Sequence, residues 1–190
     1  MQRQRAAFRE AIPELDPKAL LFIDESGSNR AMAREYGRAP RGQRAHGAKP
    51  LQRGQHVTMV GALGLAGVVA AMTVEGFVDG AAFLVFVQEV LVAQLRPGQV
   101  VVLDNLKAHK VAGVREAIEA VGARLLYLPP YSPDFSPIEE CWSKIKASLR
   151  TKAARTLESL QQAITEAVAA ITSQDAQGWF THAGYCVQSN

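Results

Sequence analysis

The sequence predicts an α/β domain built on one mixed five-stranded sheet: an antiparallel meander of three strands, extended by two parallel strands and flanked by helices. Three observations predict it. Two all-apolar runs, Leu20-Leu21-Phe22-Ile23 and Val100-Val101-Val102-Leu103, each end in an Asp and read as strands covered on both faces. Between them, residues 56–63 and 68–74 are rich in Val, Thr and Met and are joined by Gly64-Leu65-Ala66-Gly67, a turn sequence, so they read as an antiparallel pair. After the second apolar run, a helical stretch and a further strand complete a βαβ unit, whose right-handed crossover dictates parallel pairing.

Taken in order, residues 2–12 read as a short polar helix and residues 19–24 as the first strand. Residues 30–53 are a long basic loop or loose hairpin, followed by the antiparallel pair. Residues 80–95 carry Phe83, Phe86, Val87, Val90 and Leu91 at helical spacing, and Arg96-Pro97-Gly98 stops that helix. Residues 100–104 form the next strand. Residues 111–121 are a helix with Val114, Ile118 and Val121 inward, ended by Gly122, and residues 123–128 are the last strand. Pro129-Pro130-Tyr131-Ser132-Pro133 excludes helix and central strand. Ser136-Pro137-Ile138-Glu139 reads as a helix start, with Ser136 as N-cap, Pro137 at the first position and Glu139 at the third. That helix buries Ile138, Trp142, Ile145 and Leu149. A final amphipathic helix runs from Thr156 to about Ile171, burying Leu157, Leu160, Ile164, Val168 and Ile171. This order of elements is the layout of the ribonuclease-H-like fold, which sets its first and fourth strands side by side. The expected organisation is an N-terminal helix or linker over residues 1–18, a core over 19–155, and a C-terminal helix and tail over 156–190 packed on it.

At 190 residues, with 48% hydrophobic and 21% charged residues, the chain is long enough for one globular core. No apolar run approaches the roughly 18 residues of a membrane span. Nor does Met1-Gln2-Arg3-Gln4-Arg5 precede the apolar stretch of a secretory signal. Cys141 and Cys186 lack metal-site spacing and read as reduced thiols of a cytoplasmic protein. The net charge of +3 is unevenly spread. Arg30, Arg34, Arg38, Arg41, Arg44, Lys49 and Arg53 fall in one stretch with a single acid, Glu35. Lys144, Lys146, Arg150, Lys152 and Arg155 fall in another with none. Each run reads either as a solvated loop or helix face or as a phosphate-binding surface.

The candidate chemistry lies in three acids. Asp24 and Asp104 end strands expected to be neighbours, at the carboxyl edge where open α/β sheets bind ligands. Each, taken alone, also fits a strand-end acid that caps a turn. Side by side they repel unless a cation lies between them, and hard carboxylate ligands suit Mg²⁺ or Mn²⁺. Glu139 sits where a capping-box Glu belongs. It also lies roughly 90° from the helix's apolar stripe at about 100° per residue, which lets it flank the sheet edge. Glu140 lies nearly opposite the stripe and is expected to face solvent. His109, five residues after Asp104, reads either as a helix-start residue bonded to its loop, or as a phosphate contact or acid–base group behind the acids. Asn105 belongs to the same set. His46, His56 and His182 read as structural or exposed.

With these residues placed, the chain resembles the catalytic domain of the IS630 group of bacterial insertion-sequence transposases, in the Tc1/mariner superfamily. The resemblance is carried by Phe22-Ile23-Asp24-Glu25-Ser26, by Val102-Leu103-Asp104-Asn105 with His109-Lys110, by the block from Leu128 through Pro129-Pro130-Tyr131-Ser132-Pro133-Asp134-Phe135-Ser136-Pro137-Ile138-Glu139, and by Phe180-Thr181-His182-Ala183-Gly184-Tyr185. It covers about residues 15–187. The family's triad is Asp, Asp, Glu with 34 residues between the last two; residues 105–138 give that spacing for Asp104 and Glu139. The resemblance implies two Mg²⁺ or Mn²⁺ ions held by Asp24, Asp104 and Glu139, cleavage at transposon ends and strand transfer into TA dinucleotides. It implies DNA contacts from the basic runs and from Lys107, His109 and Lys110. It also implies self-association or a partner chain bearing a helix-turn-helix, because only about 18 residues precede the first strand. The expectation is the catalytic half alone, from the second frame of a frameshifted element or from a decayed copy. Two further readings stand beside it: an inactive DNA-binding remnant that regulates a full-length transposase, and a nuclease without strand transfer.

Overall fold

In the computed structural model, which describes residues 2–52 and 54–187, five strands form one sheet in the order β3-β2-β1-β4-β5. They are β1 (Leu20–Asn29), β2 (His56–Gly64), β3 (Gly67–Glu75), β4 (Val100–Leu103) and β5 (Arg124–Tyr127). The pairs β1–β2 and β2–β3 are antiparallel; β1–β4 and β4–β5 are parallel. This is the ribonuclease-H-like layout that the element order predicts. Arg53, one of the basic residues singled out above, lies outside the described residues.

Alternating side chains of the central strands feed two cores, as period-two geometry requires. On one face Leu20, Phe22, Val100 and Val102 pack with Trp142, Ile145, Leu160, Ile164 and Phe180. These come from α4 (Ile138–Lys152), α5 (Leu157–Ala169) and α6 (Ser173–His182), numbered in chain order after α1 (Gln2–Ala11), α2 (Gly80–Val85) and α3 (Val114–Ala120). On the other face Ile23, Val101 and Leu103 pack with Phe83, Phe86, Val87, Leu91 and Ile118. The coil of α2 continues through a wider π-type segment, Phe86–Leu91, to Gln94. No described helix is long and apolar enough to cross a membrane.

Four local features differ from the sequence reading. First, β1 does not end at Asp24. It continues to Asn29 against β2, and Ser28 Oγ donates to the Val57 carbonyl at 3.0 Å. Ser26-Gly27-Ser28 looks like a turn by composition, but cross-strand pairing overrides that propensity. Second, residues 173–182 form a helix that the sequence reading does not include. Thr172 caps it, accepting from the Asp175 amide while the Asp175 carboxylate accepts from the Thr172 amide. The signal is a capping box with Asp in place of Glu. Third, the helix expected from residue 111 starts at Val114, after a short 3₁₀ turn over Lys107–Lys110 and a left-handed Gly113 at φ 95°. Fourth, α4 begins one residue later than a Ser136 cap requires. Pro137 occupies the N-cap position without a side-chain cap, and Ser136 contributes only its carbonyl, to the Glu139 amide at 3.2 Å. The capping box is not made, and the Glu139 carboxylate is left for other partners.

The carboxyl end of α4 is closed by Ala153 in the left-handed region (φ 49°, ψ 46°), its amide bonded to the Leu149 carbonyl at 2.9 Å. A residue with a Cβ loses roughly 1–2 kcal/mol there, and glycine is the usual occupant. Ala153→Gly is therefore expected to raise the melting temperature by about 2–4 °C, the shift that roughly 1 kcal/mol produces in a domain of this size. A lower melting temperature in a thermal scan would contradict the strain assigned to Ala153.

Candidate active site

The site is set by where two parallel strands part. Leu20, Leu21 and Phe22 of β1 pair with Val100, Val101 and Val102 of β4, and the pairing stops there. Asp24 and Asp104 lie two residues further along their respective strands. Asp24 stays in β1, opposite Gly61 of β2; Asp104 follows the last residue of β4. Glu139 lies in the first turn of α4. All three acids line one pocket of about 500 Å³, together with Asn105, Leu106 and the prolines after β5.

Each acid has its own environment. Burial pushes the Asp24 carboxyl up to about 7, helped by the nearby negative charges of Glu139, Glu25 and Asp104 and opposed by a backbone hydrogen bond. The Trp142 indole, which also packs in the core, donates through Nε1 to Asp24 Oδ2 at 3.1 Å. That indole fits because residue 61 is glycine: a Cβ there would lie 2.8 Å from the ring. Burial also pushes Asp104 up, but His109, the Leu106 amide (3.0 Å to Oδ1) and Lys110 outweigh it. Asp104 therefore sits below the usual carboxylate range.

His109 has no exposed surface. Its Nε2 lies 2.9 and 3.0 Å from the two Glu25 oxygens. Its Nδ1 lies 2.6 Å from Asp104 Oδ1, although out of line for a directional hydrogen bond, so that contact is a charge pair. Burial alone would lower the imidazole pKa. The two carboxylates reverse this and raise it to about 9, which makes His109 a buried imidazolium at neutral pH. Phe83 lies against the ring, with centroids 4.3 Å apart. Total burial removes His109 from the phosphate-contacting set; its place is behind Asp104.

The loop from Pro129 to Ser136 forms the far wall of the pocket, and both ends of the chain hold it. From α1, Arg5 Nη1 donates to the Tyr131 carbonyl (2.8 Å), Ser132 Oγ (2.7 Å) and Asp134 Oδ1 (2.9 Å), and Nη2 donates to Asp134 Oδ2 (2.8 Å). From the carboxyl tail, the buried Tyr185 hydroxyl donates to the Phe135 carbonyl at 2.8 Å. Glu140 turns away from the pocket, as the helical geometry predicts, but it does not face solvent. It is half-buried in a second cavity, 3.4 Å from His182 Nε2, whereas Glu139 is the more exposed of the two. The reason is α6, which covers that side of α4 and which the sequence reading does not include. Four contributors are also absent from that reading. Glu25 and Gly61 are obscured because their partners are distant in sequence. Trp142 reads as core only. Arg5 reads as part of a polar helix.

The two basic runs converge. Arg34 Nε donates to Thr151 Oγ1 at 3.4 Å, and Arg155 donates to the carbonyls of Arg30 and Met32 at 2.9 and 3.0 Å. They meet at the carboxyl end of α4, about 18 Å along that helix from Glu139 at 1.5 Å per residue. Arg34, Arg38, Arg41, Arg44 and Lys49 are exposed. Lys144 pairs with Asp175, and Lys152 with Glu166. Lys110 bonds Asn105 and lies 5.2 Å from the Tyr127 ring centroid.

The donor chemistry fits hard divalent cations. Three carboxylates line one pocket, and Asp24 is raised first by burial and then by its acidic neighbours, negative charge that a cation would offset. Among the described residues no three His, Cys, Asp or Glu side chains gather closely enough to hold one ion by themselves.

The sequence profile of the DDE superfamily endonucleases matches residues 19–161. A search of curated protein sequences finds no match. Among solved structures, a pre-cleavage Mos1 transpososome is 16% identical with a TM-score of 0.71, covering 98% of this chain and 62% of that one. The mariner Mos1 paired-end complex with Mg is 18% identical with a TM-score of 0.71, covering 95% and 58%. The isolated catalytic domain of Mos1 mariner transposase is 15% identical with a TM-score of 0.63, covering 96% and 88%. At these identities the likeness is one of fold, and this chain spans less than two thirds of the transposase chains in the two complexes.

Two outcomes follow from the site's electrostatics and packing. Asp24 and His109 both have folded-state pKa values above their ordinary ones, 3.8 to about 7 and 6.5 to about 9. Each contributes stability that is fully present below its ordinary pKa and lost as pH rises through the folded value. Protein kept in chelator is expected to lose thermal stability steadily from about pH 4 to pH 9. Asp24→Asn should remove the part below pH 7, and an unchanged profile in that variant would refute the raised Asp24 pKa. Gly61→Ala should push the indole off Asp24 and cost about 1–3 kcal/mol by overpacking, read by denaturant unfolding.

Proposed function

We propose that this chain, which belongs to the DDE superfamily of endonucleases, is the catalytic domain of a DNA transposase of the IS630 group. It cleaves phosphodiesters at transposon ends and transfers the strand to target DNA at TA dinucleotides. The observation that carries the reading is the convergence of Asp24, Asp104 and Glu139 on one pocket at the strand split. Residues 19–155 form the catalytic core, and residues 1–18 and 156–190 support it.

Asp24, Asp104 and Glu139 would hold two Mg²⁺ or Mn²⁺ ions. When bound, such ions activate a water or 3′-hydroxyl and stabilise the leaving oxygen. The remaining work belongs to the protein. The buried His109 imidazolium and the Leu106 amide orient Asp104 Oδ1 and keep Asp104 ionised. The Trp142 indole orients Asp24 Oδ2. The pinned loop after β5 fixes the start of α4 and with it Glu139. Phosphates of the substrate pair with Arg34, Arg38, Arg41, Arg44 and Lys49 on the exposed arm, with Arg30, Lys144, Lys146 and Arg150 beside it, and with Lys107 and Lys110 at the pocket mouth. The reach from Glu139 to that basic surface means that DNA runs along α4. Phosphate contacts of this kind position DNA without reading sequence, so choosing transposon ends takes a sequence-reading element besides them, such as a helix-turn-helix.

Asp104→Asn is expected to abolish Mg²⁺- or Mn²⁺-dependent nicking of DNA while leaving the fold intact by circular dichroism; unchanged turnover would sink the mechanism. Neutralising Arg38, Arg41 and Arg44 together should weaken binding to all duplexes alike. It should also flatten the dependence of log affinity on log salt by about 0.9 for each DNA phosphate that is no longer neutralised. A slope equal to that of the parent protein would take the arm out of the DNA path.

A further inference from the structure

The pocket holds more than acids. Facing the carboxylates is an apolar rim made by Leu106, Pro129, Pro130 and Tyr131. A phosphate and its ions have no use for such a wall; a nucleobase or sugar next to that phosphate does. Tyr131 dominates the rim and is 85% exposed. It is also one of two non-glycine residues in the described chain with positive φ, at 55°. A bulky residue there is strained by roughly 1–2 kcal/mol, and such strain persists only where surrounding bonds impose it. They do: Arg5 takes the Tyr131 carbonyl and the adjacent Ser132 hydroxyl, and prolines stand at 129, 130 and 133. Among the described residues, no aromatic ring or cation packs on the Tyr131 face. The fold thus fixes the backbone that carries this ring and leaves the ring largely exposed in the lining of the pocket that holds the three carboxylates.

We propose that Tyr131 is a stacking platform for a nucleobase that is unpaired beside the scissile phosphate. The inference rests on the DNA-cleaving reading and deepens it. Bases inside an intact duplex have no free face, so the occupant is a nucleotide at a frayed end, a nick or an overhang. Stacking on one aromatic ring tolerates any base, because every base has a π-face. The ring therefore selects the local opening of the helix, not a sequence. Because the loop backbone beneath it is already tied, the entropy lost on binding is that of the side chain and the base, not of the loop.

Two DNAs test it: a blunt duplex and the same duplex with a short single-stranded overhang carrying 2-aminopurine, each titrated in Ca²⁺. The variants are Tyr131→Gly, Tyr131→Phe and Tyr131→Trp. Glycine suits positive φ, so Tyr131→Gly deletes the ring without disturbing the loop. Its melting temperature is expected to hold or rise. Its affinity for the overhang DNA should fall on the order of tenfold with loss of 2-aminopurine quenching, while blunt-duplex affinity stays put. Tyr131→Phe and Tyr131→Trp should keep both the affinity and the quenching. Tyr131→Gly retaining the overhang preference, or melting well below the parent, overturns the proposal. So does altered self-association in sedimentation with DNA binding unchanged, which would assign the ring to a protein contact. Failure of the parent chain to bind either DNA strikes the transposase reading itself, and the stacking role falls with it.

Discussion

Everything at the centre of this molecule answers to one constraint: negative charge concentrated where two parallel strands part. Asp24, Asp104, Glu25 and Glu139 all act on the same small volume. Like charges at such separations cannot all remain ionised without compensation. One compensation is internal. His109, buried and charged between Glu25 and Asp104, offsets part of the repulsion and biases which acid carries its charge most readily. On the Asp24 and Glu139 side, burial and neighbouring charge raise Asp24 to about 7. The result is a polarised pocket: one carboxylate held below its ordinary pKa by the protein, another raised above it.

Fixing carboxylates in place requires a stiff frame, and the frame comes from distant parts of the chain. The loop after β5 is tied by Arg5 from the amino end and by Tyr185 from the carboxyl end. Its prolines remove backbone freedom and N–H donors together. Because Pro137 occupies the N-cap position of α4, no side chain caps that helix, and Glu139 escapes the local bond that its position otherwise favours. On the sheet side, Gly61 leaves room for the Trp142 indole, which links the core of α4 directly to Asp24. Core packing and site geometry are here the same set of contacts.

The arginines of the basic arm are rooted away from this acidic centre, unlike Arg5 and Lys110, which lie beside it. Arg155 and Thr151 gather the root of the exposed arm at the far end of α4, so α4 carries an acid at one end and a cationic surface at the other. The separation keeps the arginines of the arm from pairing with the acids of the pocket. The arm itself is long and, over its described residues, without regular structure.

What the sequence determined by itself was the order and type of the main elements, α6 apart, and three acids that line one pocket. Strong apolar runs, a turn between two β-rich stretches and a proline block are local signals, and each rests on backbone chemistry that does not need the rest of the chain. Even the strand neighbours followed, because this order of elements is the ribonuclease-H-like layout, which sets the first and fourth strands side by side. Tertiary structure alone decided the rest. It extended β1 beyond Asp24 by pairing a polar stretch with β2, turned a predicted capping Glu into a pocket residue, and half-buried Glu140 under α6. It also brought Glu25 to His109 across 84 residues and Arg5 to Asp134 across 129. The physical reason is common to all of these. Hydrogen bonds and ion pairs form between groups that meet in space, and a buried charge selects its partner by proximity, which propensity and periodicity along the chain do not encode.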